Sequence, residues 1–551
     1  MIVKMKHLDL LCLAAEEEAT LKALRGLGAV HLDFAAAGGV AVAAAKGEAA
    51  DAEKAVNLIL KAREASEMVE RRAHSAKEVL EFDSERTEIR SELEAVEKEI
   101  RAYEPYGDFD PALAQKLIDK GIDLASVATL PEKLPARRLS VMMRERERFV
   151  NRINILTDRI AGTDEKAILK NFPKLADKIE FECAKELMQR AGKIAVVSGW
   201  IPAKAADDLK AKAAECGWGT LLRDAADGEM PPTLIEPPRL FRPVKALFAG
   251  LGIAPAYNEA DVSVPFMCYF SVFFAMLVGD GAYGAIFLAA TIFGWWKTRG
   301  ARSPLAKSWL VMLTVFSSAT VVWGVLSNTW FGAGIPCCKS WPTVEWLADP
   351  SYRNMMLLCF TIGVSHLMLA RIWNGICMFP DSTAVAQFGW AGVLLFMYMV
   401  TNSIVGIFSG IPVWGYAVFG VSLVAVFGFS VKPSELKVKG AELGMLPLNI
   451  MSALGDIISY VRLFAVGLAS VKVAENFNSM ATGLLSSENA IWINCIMAVA
   501  MVLILVLGHA LNLAMAGLSI LVHAVRLNTL EFSNHKGVSW SGYAFKPFRK
   551  N

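Results

Sequence analysis

The pattern of apolar and polar positions splits this chain into two halves of different character. Over residues 1–250, apolar positions recur at short intervals among many Glu, Lys, Arg and Ala residues. Val3 to Leu13 reads as a strand, Glu16 to Leu27 as an amphipathic helix, and Ala29 to Asp33, after Gly28, as a short strand. The order repeats later, with Ile194 to Pro202 as strand and turn, Ala203 to Ala214 as helix and Trp218 to Leu222 as strand. The segments 1–45 and 192–225 are therefore expected to share one sheet in a small α/β lobe.

Between these segments the period turns helical. Ile89, Leu93, Val96, Ile100 and Tyr103 alternate spacings of four and three, as do Phe149, Ile153, Leu156 and Ile160. That is the seam of a coiled coil, and it predicts an antiparallel hairpin within residues 50–190. Its distal tip, Glu104-Pro105 to Pro135, is short, with one helix expected at Pro111 to Lys120. Such an element is a mechanical strut or spacer rather than a catalytic surface.

The second half is a series of apolar runs. A membrane-spanning helix needs about 20 apolar residues. The runs 262–279, 282–297, 308–331, 354–376, 386–407, 411–431, 446–477 and 490–530 are the candidates. Basic residues gather after the second run (Lys297, Arg299, Arg302, Lys307), the sixth (Lys432, Lys437, Lys439) and the last (Lys536, Lys546, Arg549, Lys550). This bias places those loops and both termini in the cytoplasm, and residues 1–7 have no signal-peptide character. The expected organisation is a cytoplasmic domain over 1–255, a transmembrane domain over 256–535 and a tail over 536–551. As straight helices the last two runs would be about 46 and 60 Å long, against a hydrocarbon core of about 30 Å. They must tilt, kink or project, and Gly508 and Gly517 offer bending points.

Composition agrees with this division. The chain is 54% hydrophobic and 20% charged, and its net charge of +2 indicates no particular partner. The nine cysteines form no C-x-x-C pair, and adjacent Cys337-Cys338 suits neither a metal nor an ordinary disulfide. No Walker A pattern or Rossmann fingerprint is present, so the chain is expected to hydrolyse nothing itself and to hold no cofactor or metal. The glycine-rich Gly279 to Gly284 lies between apolar runs and reads as a turn between helices.

What changes the picture is charge inside the apolar runs. Arg462 lies midway along the seventh run, about 20 Å from either end along a straight axis. An arginine there costs at least about 2.5–3.5 kcal/mol and cannot escape by deprotonation. Asp456, six positions away, points to a different side of an α-helix. Arg526 lies nearer the cytoplasmic end, where its side chain can snorkel. His523 shares a face with Arg526, His509 shares one with Asn512, and Glu475 is placed to pair with Lys472 near the outer end. No buried acid is expected at the level of Arg462, so the acid that answers it should belong to another subunit.

With these residues in place, the chain resembles the subunit I family of bacterial and archaeal V/A-type rotary ATPases, the counterpart of eukaryotic V-ATPase subunit a. Gly455-Asp456, Ser459-Tyr460, Arg462-Leu463 and Ala465 are similar to the signature of that family's seventh membrane helix. Gly508-His509, Leu511-Asn512, His523, Arg526-Leu527 and Glu531-Phe532 are similar to that of the eighth. Met276 to Gly284, Ile2 to Met5 and Gly199 to Pro202 also match.

The resemblance implies a mainly α fold and a non-catalytic membrane stator of an ATP-driven pump or ATP synthase in the prokaryotic plasma membrane. Its partners would be a rotating proteolipid c/K ring, peripheral-stalk E/G heterodimers, a central-stalk socket subunit d/C, membrane lipids and, indirectly, the soluble ATPase sector, with no role for nucleic acid. It implies that Arg462 separates two ion half-channels and that Arg526 supports it. Asp456, Ser459, Tyr460, His509, Asn512, His523, Glu531 and Glu475 become half-channel candidates. Two features depart from the family. Ala516 stands where many relatives have an acid before Gly517, so that acid's role is not carried over, and the distal lobe of the hairpin is reduced. A stand-alone transporter with a regulatory coiled coil is the alternative, although no convincing internal repeat supports it. A membrane scaffold would leave the cost of Arg462 unexplained.

Overall fold

The computed structural model describes residues 1–550 except 34–38, 65–71, 73, 121–130, 132, 227, 300–303, 337–338, 432–442 and 485–490. Arg302, Cys337, Cys338, Lys432, Lys437 and Lys439 fall outside the described residues, as does part of the hairpin tip. The chain forms two compact units, Met5–Asp224 with Lys546–Asn551, and Met1–Lys4 with Ala225–Phe545.

In the first unit, four strands form one antiparallel sheet: β1 (Met5–Leu13), β2 (Gln189–Ala191), β3 (Ile194–Pro202) and β4 (Gly219–Asp224). Their order is β2-β3-β1-β4, with Met5 opposite Pro202 and Leu10 opposite both Val197 and Thr220. Alternate residues of β1 (Leu8, Leu10, Cys12) face a core with Leu21 and Leu24 of the Glu17–Leu27 helix. The strand expected at 29–33 is reduced to a single bridge between His31 and Trp200. Phe548 is fully buried in this core and donates its N–H to Val30 O at 2.7 Å.

The hairpin pairs Ala76–Tyr103 with Leu139–Ala161. Arg152 meets Glu85, and Arg146 meets Glu97, a register that only antiparallel helices give. Val96 and Ile100 bury against Leu139 and Met142. A second helix pair, Val40–Glu64 and Phe172–Glu186, continues the bundle through Ala52, Ala55, Ile59 and Ile160. The tip helix spans Pro111–Asp119, with Asp110 as its N-cap.

In the second unit, helices occupy every predicted apolar run. Among the described residues, five are long and apolar enough to cross a membrane: Leu305–Ser327, Arg353–Met378, Thr383–Ile404, Leu446–Thr482 and Cys495–Lys536. Ser263–Val278 and Val413–Phe429 are apolar but shorter. The turn at Gly279 is as expected: φ is +69°, and Asp280 caps the next helix through Ala282 N (2.8 Å). Phe266, Phe273, Phe360, Tyr460 and Leu527 centre the core. This is a membrane protein.

The two longest spans are irregular at particular places. Leu446–Ile458 and Val461–Thr482 are separate helices joined by a tightened turn, in which the N–H groups of Tyr460, Arg462 and Leu463 reach back only three residues. The last helix runs unbroken from Ile491 to Ser519 and widens into π turns over Ile520–Ala524 and Leu527–Phe532. The helix is thus continuous through Gly508 and Gly517, the two positions that offer bending points. Gly508 serves close packing instead, because a Cβ there would lie 2.4 Å from the Phe477 ring.

Candidate functional site

The tightened turn presents the arginine. Ser459 Oγ donates to Gly455 O (3.0 Å) and accepts from Arg462 Nη2 (2.9 Å), so one hydroxyl ties the side chain to the preceding turn. Tyr460 is fully buried, with its hydroxyl 2.8 Å from His366 Nδ1. The His366 ring is sandwiched between Tyr269 and Phe532, at 4.0 and 4.4 Å between centroids.

The acid expected on another subunit has a counterpart in this chain. Glu531 Oε1 lies 3.4 Å from Arg462 Nη2 and 3.6 Å from Arg526 Nε. In an α-helix a residue five positions on lies about 140° around the axis. A π turn closes i→i+5 hydrogen bonds and stacks those positions instead, which brings Arg526 and Glu531 together. Glu531 is nearly buried and Arg462 mostly so, whereas Arg526 is half exposed. With Glu531 ionised, the trio carries one unbalanced positive charge. Arg462 Nη1 and Glu531 Oε2 are buried without hydrogen-bond partners among the described residues. Leaving such atoms unpaired costs about 1–3 kcal/mol each, so both favour a further polar partner.

Two cavities are lined by residues that precede and follow Arg462 in the chain, one on each of the two helices that meet at the tightened turn. One, of about 320 Å³, is lined by Leu463, Gly467, Val471 and Glu475 with Ser327 and Asp349. The other, of about 510 Å³, is lined by Asn449, Ser452 and Asp456 with Arg371 and His535. Asp456 meets His535 Nε2 at 3.0 Å and, among the described residues, forms no ion pair with Arg462. Glu475 pairs with Lys472 at 2.7 Å.

His509 and Asn512, which share a helix face, meet in one network through Tyr283. Asn512 donates to Ser470 O (2.9 Å) and to the Tyr283 hydroxyl (3.0 Å), which is 2.7 Å from His509 Nδ1. His509 Nε2 faces Asn478 Oδ1 at 3.2 Å. This ladder ties the last helix to Val461–Thr482 on the side of Glu475. His523 is partly exposed and makes no hydrogen bond among the described residues.

Sequence reasoning overlooked Tyr283, His366, Arg371, Ser470, Asn478 and His535. Arg371 could have been found, since it is a cation inside the fourth apolar run, as Arg462 is in the seventh. The others carry no signal beyond ordinary polarity.

No family model matches the chain. It is 32% identical to the V-type ATP synthase subunit I of Borreliella burgdorferi, over 73% of this chain and 66% of that protein. It is 28% identical to the V-type ATP synthase subunit I 1 of Treponema pallidum over the full length of both. It is 24% identical to the A-type ATP synthase subunit I of Methanocaldococcus jannaschii, over 76% of this chain and 65% of the relative. The matches thus span just under two thirds of the Borreliella and Methanocaldococcus proteins and the whole of the Treponema one.

Proposed function

Because the chain belongs to the V-type and A-type ATP synthase subunit I family, we propose that it is the ion-carrying membrane stator of a rotary ATPase. Residues 1–255 then form the cytoplasmic strut that meets the peripheral stalks, and 256–535 the ion path, crossing the membrane several times with both termini in the cytoplasm. The chain itself catalyses no hydrolysis. It works against a ring of small apolar subunits, each bringing a carboxylate to the level of Arg462.

One observation carries this reading: a half-satisfied cationic site stands between two cavities lined by consecutive stretches of one helix pair. An arriving carboxylate finds the unpaired Nη1 of Arg462 and an unbalanced positive charge, both of which favour its ionised form. It gives up its ion on approach and takes one up again beyond the arginine. The same fixed charge repels a cation that would pass directly from one cavity to the other. Glu531 holds Arg462 while no partner acid is present and shares the cationic load with Arg526. Glu475 borders one ion path and Asp456 the other, while Tyr460, His509 and Asn512 brace the helices between.

The last helix presents an apolar face to the partner. Val499, Val506 and Leu518 are each more than half exposed, whereas Ala516 is buried. A cysteine at Val506 is expected to cross-link to a small proteolipid in the assembled complex, and one at Ala516 is not. Cross-linking at neither position, or equally at both, would contradict the arrangement.

A further inference from the structure

The larger cavity contains a chain of three charged or titratable groups whose hydrogen-bond directions are fixed by chemistry. Arg371 Nε donates to His535 Nδ1 at 3.0 Å. Its guanidinium is held by Gln387 Oε1 (3.2 Å) and lies over the Trp390 ring, 5.0 Å from the centroid. A guanidinium has no lone pair to offer, so His535 Nδ1 must accept and its ring proton must sit on Nε2. That N–H donates to Asp456 Oδ2 at 3.0 Å. Asn374 Nδ2 pins the backbone by donating to the carbonyls of His535 (3.0 Å) and Lys536 (3.1 Å). Adding a second proton to the His535 ring would set an N–H against a guanidinium and break the bond to Arg371.

We propose that Asp456 is the carboxylate that exchanges ions with this cavity, and that Arg371 and His535 are positioning residues, with His535 a fixed neutral donor rather than a proton carrier. Among the described residues only Oδ2 of Asp456 is hydrogen-bonded, and the carboxylate lines a cavity of about 510 Å³ that also carries Asn449, Ser452 and Asn534. One oxygen is thus held by the histidine and the other is open to water and to the ion. A proton taken up there comes from cavity water and either returns to it or passes to the ionised ring carboxylate, while Arg462 stays charged throughout. Nothing in the exchange requires the imidazole to change charge.

This inference rests on the half-channel reading, and one assay separates the two. ATP-driven ion uptake is measured in vesicles carrying the assembled complex. Asp456→Asn is expected to lose roughly tenfold or more. His535→Ala should lose about tenfold through misplacement of the carboxylate. His535→Gln keeps an acceptor for Arg371 and a donor for Asp456 and cannot carry a proton, so it should stay within about twofold of the parent. Glutamine as inactive as alanine, or an Asp456→Asn complex pumping at the parent rate, would overturn the proposal. Arg462→Ala in the same assay isolates the underlying reading. If it pumps normally, the half-channel reading fails; if it alone stops pumping, only the role of Asp456 fails. Independently of pumping, in a background whose native cysteines are replaced by alanine or serine, a water-soluble maleimide should label Asp456→Cys and spare Ala453→Cys, whose position on the same helix is buried. Failure to label Asp456→Cys would remove the water access that the proposal needs.

Discussion

Arg462 and Arg526 share one carboxylate oxygen, and the sharing is unequal. Glu531 and Arg462 are withdrawn from solvent, while Arg526 is 53% exposed. Removing one member of a buried pair leaves its partner uncompensated, at about 3–5 kcal/mol, whereas exposed pairs contribute about 0–1 kcal/mol. Glu531→Gln is therefore expected to lower the thermal stability of the detergent-solubilised protein clearly more than Arg526→Ala does. Equal losses would show that burial does not grade the pair. Arg462 was legible in the sequence because an arginine amid apolar residues has few innocent explanations. Glu531 entered only through the family resemblance, and its pairing with the arginines was not legible, because α-helical spacing turns that residue away from Arg526 and only the π turns restore the alignment. Arg371 was legible by the same rule as Arg462, but His535 was not: it sits past the last apolar run, where a basic side chain reads as solvated.

At the scale of elements, the position of Arg462 depends on how closely its helix approaches its neighbours. A Cβ at Gly467 would lie 2.4 Å from the carbonyl oxygen of Met276. Backbone cannot yield as a side chain can, so Gly467→Val should cost about 1–3 kcal/mol by overpacking and displace the helix that carries Arg462. Thermal unfolding with and without the change measures the first effect, and ion uptake the second. Unchanged stability would contradict the packing. The coiled-coil hairpin was readable because a heptad seam has few alternative structures, and Val96, Ile100, Leu156 and Ile160 are buried as their spacing requires. The division between Ile458 and Val461 was not readable, since apolar residues run through it and the turn is tightened by backbone hydrogen bonds, which carry no side-chain signature.

At the scale of the whole molecule, the sheet of the first unit joins strands from residues 5–13 and 189–224, and the burial of Phe548 adds the end of the chain to the same core. The shared sheet was legible from the repeated strand–helix–strand pattern. The place of Phe548 was not, because a single aromatic in a basic stretch has no periodicity to read. This unit also has a pH signature. Arg190 donates two 2.6 Å hydrogen bonds to the Glu17 carboxylate and holds its pKa below the usual 4.5. A depressed folded-state pKa contributes stability that is present above the unfolded value and lost as pH falls through the folded one. Glu17→Gln should therefore lower the melting temperature of the unit near pH 7, and the difference should shrink progressively below about pH 4.5. A difference that persists undiminished at pH 3 would mean that packing, not the ion pair, is responsible.

The central claim is that Arg462 acts as a fixed charge between two ion paths, and ATP-driven ion uptake by the assembled complex carrying Arg462→Ala tests it most directly. The expected result is loss of uptake with the ATPase sector and the proteolipid ring still attached. Uptake at the parent rate in a fully assembled complex would contradict it.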